Sequence, residues 1–488
     1  MTDLQQRLAS LSPEQRALLE ARLLKQNTAA PRSAAHTGEA APVVLSGAQE
    51  LFWAPGQPPV NHPVHNIAQA FRLCGPLDSS ALERALHTIV QRHKVLRTRV
   101  SLADGNPKAI VHHQHLALPI TDLKAPALTG TGIEAIRWVR EEAITPFDIY
   151  SENLLLRARL LRRQPEEHIL VVVLHRIAAD ATSLEVLDRE LSQLYGAFRI
   201  GQSSPLPDLK SQYADYAQEE AEWLARGGAD ESLNYWKNQF ESPWPEINLS
   251  EGGARPSERT FQGERKTLAL PDDLVARVKK MSASGGVPVY VPLLTAFKIL
   301  LSELSGERDI VVGAPINRRA SDSTAKLMGN FDNFLPLRTD LSGDPTFQEA
   351  LVRVQRTALD AFGAQDLPFA RLLAELGGTT SPPSRPLFNV VFDFRTERRP
   401  LPELSELSVE PIQIETGLSQ FDLSLRIRFC AEKLEGEFRF KTGVLDSAGI
   451  ERMIQSYETI LARATEEPAL KLSALSANGR CTLEIEHG

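Results

Sequence analysis

The stretch Ile169-Leu-Val-Val-Val-Leu-His-Arg-Ile-Ala-Ala-Asp180-Ala-Thr-Ser183 decides how this chain is read. Residues 169–174 are all aliphatic and four of the six are β-branched, the pattern of a strand covered on both faces. Beyond it, Leu184, Leu187, Leu191, Leu194, Tyr195 and Phe198 fall at helical spacing, and Thr182 or Ser183 is placed to cap that helix. His175, Arg176 and Asp180 lie between the two elements. Polar groups at the end of a dry strand must be paired or solvated, so this turn is either a chemical site or a costly structural lock.

Working outward, 488 residues exceed one ordinary core and predict two domains or lobes of roughly 150 to 250 residues each. Lys plus Arg number 54 against 62 Asp plus Glu, and a net charge of -8 argues against nucleic acid as the main partner. Three scattered cysteines, Cys74, Cys430 and Cys481, supply neither a disulfide framework nor a zinc cluster and fit a reducing cytoplasm. The first residues lack the apolar core of a signal peptide, and no apolar run reaches the roughly 18 residues of a membrane span.

From the start, leucines 4, 8, 11, 18, 19, 23 and 24 predict two short amphipathic helices broken at Ser12-Pro13. Residues 27–42, rich in Ala, Thr, Ser, Gly and Pro, read as a linker, so residues 1–26 form an appendage, either a solvated arm or a docking element for another polypeptide. Alternation predicts strands at 66–73, 96–100 and 154–160, with helices at 78–93 and 133–144. His112, His113 and His115 lie in a strand-like run; His113 and His115 share a face, but no third ligand is evident, so solvent-facing histidines are expected and no metal site. After a Pro/Ser-rich passage at 201–207 the style repeats, with strands at 266–270, 309–315, 333–338, 389–394 and 424–429 and helices at 272–281, 291–304, 347–362 and 447–464. The mixed order predicts α/β lobes with layered sheets, an N-terminal lobe over 43–215 and a C-terminal lobe over 216–488. The short tail 480–488 and the N-terminal helices suit a stand-alone protein.

Six ordered landmarks resemble the condensation domain family of nonribosomal peptide synthetases: Leu45-Ser-Gly-Ala-Gln-Glu, Arg92-His-Lys-Val-Leu-Arg-Thr98, Pro146-Phe-Asp148 with Leu155-Leu-Arg157, Arg308-Asp-Ile-Val-Val-Gly-Ala-Pro315, Met328-Gly-Asn-Phe-Asp-Asn-Phe-Leu-Pro-Leu-Arg338 and Gln365-Asp-Leu-Pro-Phe369. The resemblance covers about 45–475. It implies two chloramphenicol-acetyltransferase-like lobes forming a V-shaped pseudo-dimer, with a tunnel that admits phosphopantetheine arms of acyl or peptidyl carrier proteins from opposite sides. Those arms are substrate tethers; the resemblance implies no cofactor bound by the chain itself. It allows a tailoring enzyme or an upstream synthetase module as a partner of residues 1–26.

The family's central turn reads His-His-x-x-x-Asp-Gly, and its second histidine is associated with the acceptor amine as it attacks the donor thioester. The aligned residues here are His175, Arg176, Asp180 and Ala181. A guanidinium stays charged and only donates, so Arg176 cannot serve as a conventional general base. Strand parity turns His175 away from the tunnel if Arg176 faces it, which makes His175 a packed, hydrogen-bonded residue. A buried Asp180 wants an arginine, and Arg157 or Arg159 on the preceding strand is the expected partner, unless Arg176 takes it. Ala181 adds a methyl that narrows the passage or excludes a positive φ angle. In the segment 328–338, Asp332 and Phe334 replace what are usually a small apolar residue and a threonine, while Asn333 is retained; Asp332 is either a cross-lobe partner for Arg176 or a solvated turn residue.

Two functions compete. One is a condensation enzyme with altered chemistry, since positioning supplies much of the rate and a base is worth only about 10²- to 10⁴-fold, with Arg176 donating to the developing oxyanion. The other is a non-catalytic domain of the same fold that binds a carrier protein or recruits a tailoring enzyme. Standard histidine-dependent amide formation is expected to be impaired. Epimerisation relies on the missing histidine, and the cyclising branch needs an aspartate at position 175.

Overall fold

The computed structural model describes residues 42–102, 107–123, 131–250, 260–319, 323–377, 386–396, 399–430 and 433–475. The N-terminal helices, most of the linker and the tail 480–488 lie outside the described residues.

The first half contains α1 (Gly47–Glu50), β1 (Asn66–Cys74), α2 (Ser79–Arg92), β2 (Thr98–Ser101), β3 (Lys108–Val111), β4 (Ile120–Asp122), α3 (Thr131–Ile144), β5 (Leu156–Gln164), β6 (Glu167–His175) and α4 (Ala181–Arg199). Then come α5 (Tyr213–Ala225), α6 (Asp230–Gln239), β7 (Gly263–Ala269), α7 (Asp272–Gly285), α8 (Tyr290–Ser305), β8 (Asp309–Asn317) and β9 (Asp332–Asp340). The chain continues through α9 (Phe347–Gly363), α10 (Phe369–Gly377), β10 (Val390–Arg395), β11 (Ser408–Ile412), β12 (Leu423–Cys430), β13 (Lys433–Lys441), α11 (Ser447–Glu466) and α12 (Leu472–Leu475).

These elements form two α/β lobes, each built on one mixed sheet. The N-terminal lobe has the order β11-β1-β6-β5-β4 and the C-terminal lobe β7-β13-β12-β10-β8-β9. The all-apolar run places β6 at the centre of its sheet, buried from His168 to His175 and antiparallel to both β1 and β5. α4 lays the predicted leucines, Tyr195 and Phe198 onto the same core. Its cap differs from the expectation: Asp180, not Thr182 or Ser183, is the N-cap, and Ser183 closes the capping box three residues on. An acidic cap satisfies two donors of the first turn and also opposes the positive end of the helix dipole.

The histidine run also differs. β3 ends at Val111, so the three histidines follow the strand; His112 is buried while His113 and His115 are exposed. Among the described residues no group of three or more His, Cys, Asp or Glu could hold a metal ion. No single helix there is long and apolar enough to cross a membrane; α7 and α8 pass such a test only jointly, with a 111° bend, and α8 is buried from Val291 to Ser302.

The lobes interpenetrate. Leu327, Met328, Phe331 and Leu404, from the second half, belong to the N-terminal core, and β11 completes the N-terminal sheet by pairing Ala70 with Ile412 through Cys74 with Ser408. Gly329 lies so close to the Tyr213 ring that a Cβ would sit 1.9 Å from it, so only glycine allows this segment to dock.

Candidate functional site

β6 ends at His175, and the following turn divides the paired side chains between two environments. His175 is fully buried within ring-contact distance of Phe52, His65 and Phe147. Its Nδ1 accepts from the Ile177 amide at 3.1 Å, which leaves the proton on Nε2 to donate to the Val60 carbonyl at 2.9 Å. Burial, opposed by that backbone bond, holds the imidazole neutral with its pKa lowered to about 4. With both ring nitrogens committed to backbone, His175 has no lone pair for a substrate proton.

Arg176 faces the other way. Its backbone amide donates to the His65 carbonyl at 2.8 Å, and its side chain lines a cavity of about 40 Å³ between the lobes. Ala48, Leu51, Phe52, Gln57 and His65 form the N-terminal wall; Asn330, Asp332, Phe334 and Gln420 form the C-terminal wall. That volume holds one or a few water molecules. Among the described residues no carboxylate lies within ion-pair distance of the guanidinium. Burial lowers its pKa, Asp332 and Asp393 work against that, and Arg426 and Arg395 reinforce it. Asp393 is clasped by both of those arginines, at 2.7 Å from Arg395 and 2.8 Å from Arg426.

Asp180 is the hub of the turn. One oxygen accepts from the Ser183 amide at 2.8 Å and its hydroxyl at 2.9 Å. The other accepts from the Asn317 side chain at 2.9 Å, the Phe331 amide at 3.0 Å and the Arg319 guanidinium. The arginine partner is therefore Arg319 from beyond β8, neither Arg157, Arg159 nor Arg176. Arg157 instead donates to the carbonyls of Glu142 and Thr145 at 3.0 and 2.9 Å and stacks on Phe147, while Arg159 pairs with Glu142 at 3.0 Å. The outward parity of β5 carries both toward α3, away from the turn.

Asp332 opens β9 beside this hub. The Asn317 amide bridges it to Asp180, bonding Asp332 at 3.1 Å, and burial together with the Asp180 charge raises the Asp332 pKa against the pull of Arg176. Asn333 points the opposite way: it donates to the carbonyls of Gln365 and Leu367 at 3.1 and 2.9 Å and accepts from the Phe369 amide at 2.8 Å, fastening the start of α10. Ala181 takes the first helical position of α4, where right-handed backbone is required and a glycine conformation is not.

The structure thus brings Arg176 and Asp332 to one cavity, puts His175 and Asp180 in its supporting frame, and sends Arg157 and Asn333 elsewhere. Sequence reasoning missed His65, Gln57, Gln420, Asn317 and Arg319. Only Arg319 left a signal: two arginines follow the buried strand β8, and a buried carboxylate such as Asp180 calls for one.

The condensation domain family model matches residues 40–479. A linear gramicidin synthase polypeptide of Brevibacillus parabrevis is 36% identical over 89% of this chain and 6% of its own length. The phosphinothricin tripeptide synthetase PhsC of Streptomyces viridochromogenes is 32% identical over 100% of this chain and 45% of its own length. The chain therefore spans less than half the length of these relatives. Among solved structures, the X-domain from teicoplanin biosynthesis superposes with a TM-score of 0.80 at 26% identity, covering 91% of this chain and 99% of that one. The same X-domain in its complex with OxyB also gives 0.80, over 92% and 99%. Matching sequence, order of elements and two-lobed architecture together place this chain in the condensation domain family of nonribosomal peptide synthesis.

Proposed function

We propose that this chain is a non-catalytic member of its family: it engages carrier-protein-tethered acyl or peptidyl intermediates in the cytoplasm and recruits another protein to them, and it does not form amide bonds by histidine chemistry. Arg176 carries the reading. At the position where the family uses a base, a permanently charged guanidinium that can only donate lines the cavity between the lobes. His175 offers no replacement because backbone groups hold both of its nitrogens. The solved X-domain that resembles this chain was captured with OxyB, which supports recruitment of a tailoring enzyme. Residues 1–26 are a second docking element for that enzyme or an upstream synthetase module.

The test is single-turnover mass spectrometry with loaded donor and acceptor carrier proteins, run on the native chain, Arg176→His and Arg176→Ala, beside carrier-binding titrations. We expect no amide product from the native chain but measurable binding. Product from the native chain that disappears in Arg176→Ala would overturn the reading in favour of acyl transfer by positioning, with Arg176 as an oxyanion donor.

A further inference from the structure

The loop Ala54-Pro-Gly-Gln-Pro-Pro-Val-Asn-His62 leaves the N-terminal lobe, reaches the C-terminal lobe and returns to β1. Three prolines restrict its backbone, and Gly56 supplies a left-handed turn at φ 82°. On the N-terminal side it is held firmly. The Val60 carbonyl takes the His175 Nε2 proton at 2.9 Å, the Pro58 carbonyl lies 3.4 Å from His65 Nε2, and the Asn61 side chain accepts from the Ile149 amide at 3.2 Å. Toward the C-terminal lobe the described contacts are lighter. Gln420 donates to Gln57 at 3.2 Å, and the His62 ring meets Phe261 at 4.7 Å, with Lys441 on the same Phe261 ring. Gln57 and Gln420 both line the Arg176 cavity, so the bond between them lies in its wall.

We infer that residues 54–62 are a strap that closes the Arg176 cavity across the lobe boundary, and that His175 is the positioning residue that sets it. One imidazole joins the turn backbone, through Ile177, to the strap backbone, through Val60. The strap therefore moves with the N-terminal lobe and parts from the C-terminal lobe at Gln57–Gln420 and His62–Phe261. This assignment is independent of whether the domain transfers acyl groups: it concerns access to the cavity, not the reaction inside it.

The test uses Ala48→Cys, a small change in the cavity wall, and follows its alkylation by N-ethylmaleimide through peptide mass mapping of the full chain. Loss of the strap anchor in His175→Ala should speed labelling about tenfold and raise amide exchange in 57–65 by a similar factor, the size of one lost buried hydrogen bond. Phe261→Ala and Gln420→Ala, which leave His175 in place, should speed labelling without raising exchange at Ile177, and they keep the test intact if His175→Ala does not fold. Unchanged labelling in folded variants of all three residues overturns the assignment, as does labelling that rises only in step with global unfolding.

Discussion

Asp180 caps the N-terminus of α4 in the N-terminal lobe while accepting a hydrogen bond from the guanidinium of Arg319, which follows β8 of the C-terminal lobe; one carboxylate thus starts a helix and ties the lobes together. Its side chain is fully buried and that of Arg319 is 5% exposed, so each charge depends on the other for compensation. Asp180→Ala should cost about 3–5 kcal/mol in urea unfolding, because it strands a buried guanidinium and removes a cap together. Asp180→Ala with Arg319→Met should cost clearly less than the sum of the single changes.

A double-mutant cycle separates this pairing from the one that strand proximity suggested. Asp180 and Arg157 should show coupling below about 0.5 kcal/mol, as expected for residues without shared partners. Arg157→Lys alone should still destabilise by about 1–2 kcal/mol, since lysine cannot reproduce the paired carbonyl contacts or the stacking on Phe147.

Asn333 gives a third prediction. It makes three hydrogen bonds to the backbone at 365–369 and is 4% exposed. Asn333→Ala should cost about 2–3 kcal/mol in thermal or urea denaturation. Asn333→Asp should cost more, because a carboxylate would face two carbonyl oxygens where the amide donates.

His175 predicts a pH dependence. Its folded pKa of about 4 lies below the ordinary histidine value of 6.5, so between these values the unfolded chain binds more protons and stability falls as pH falls. The contribution is complete above about pH 6.5 and levels off below about pH 4, and spans about 3 kcal/mol. His65, lowered to about 3 by burial and by His175, acts in the same direction. Plotting the stability of the native chain minus that of His175→Asn against pH isolates the effect from titrating carboxylates. A difference that stays flat from pH 7 to 4.5 would refute the buried neutral imidazole.

The sequence revealed those parts of this molecule whose cause is local. β6 and α4 were legible because a β-branched run and a helical stripe each announce their own period. The division of His175 from Arg176 followed from strand parity alone. Arg319 was not legible as the partner of Asp180, since 139 residues separate them and only the meeting of the lobes brings them together. β11 escaped for a different reason: five residues with Pro411 inside carry little strand signal, and such a segment is tolerated because it pairs on one side only, at a sheet edge. β13 was missed because Gly436 interrupts its alternation; the glycine is there to let Leu268 pack against the strand.

The return of β11 sets where this polypeptide can be cut. A break near residue 215 would separate two halves on paper, yet it would strip the N-terminal sheet of its outer strand and leave β1 with a row of unpaired amides and carbonyls beside an apolar core. Such a fragment is a template for aggregation. Module exchange in synthetases built from this domain should therefore treat everything from Leu45 to Leu475 as one indivisible cassette, with fusion points placed outside it.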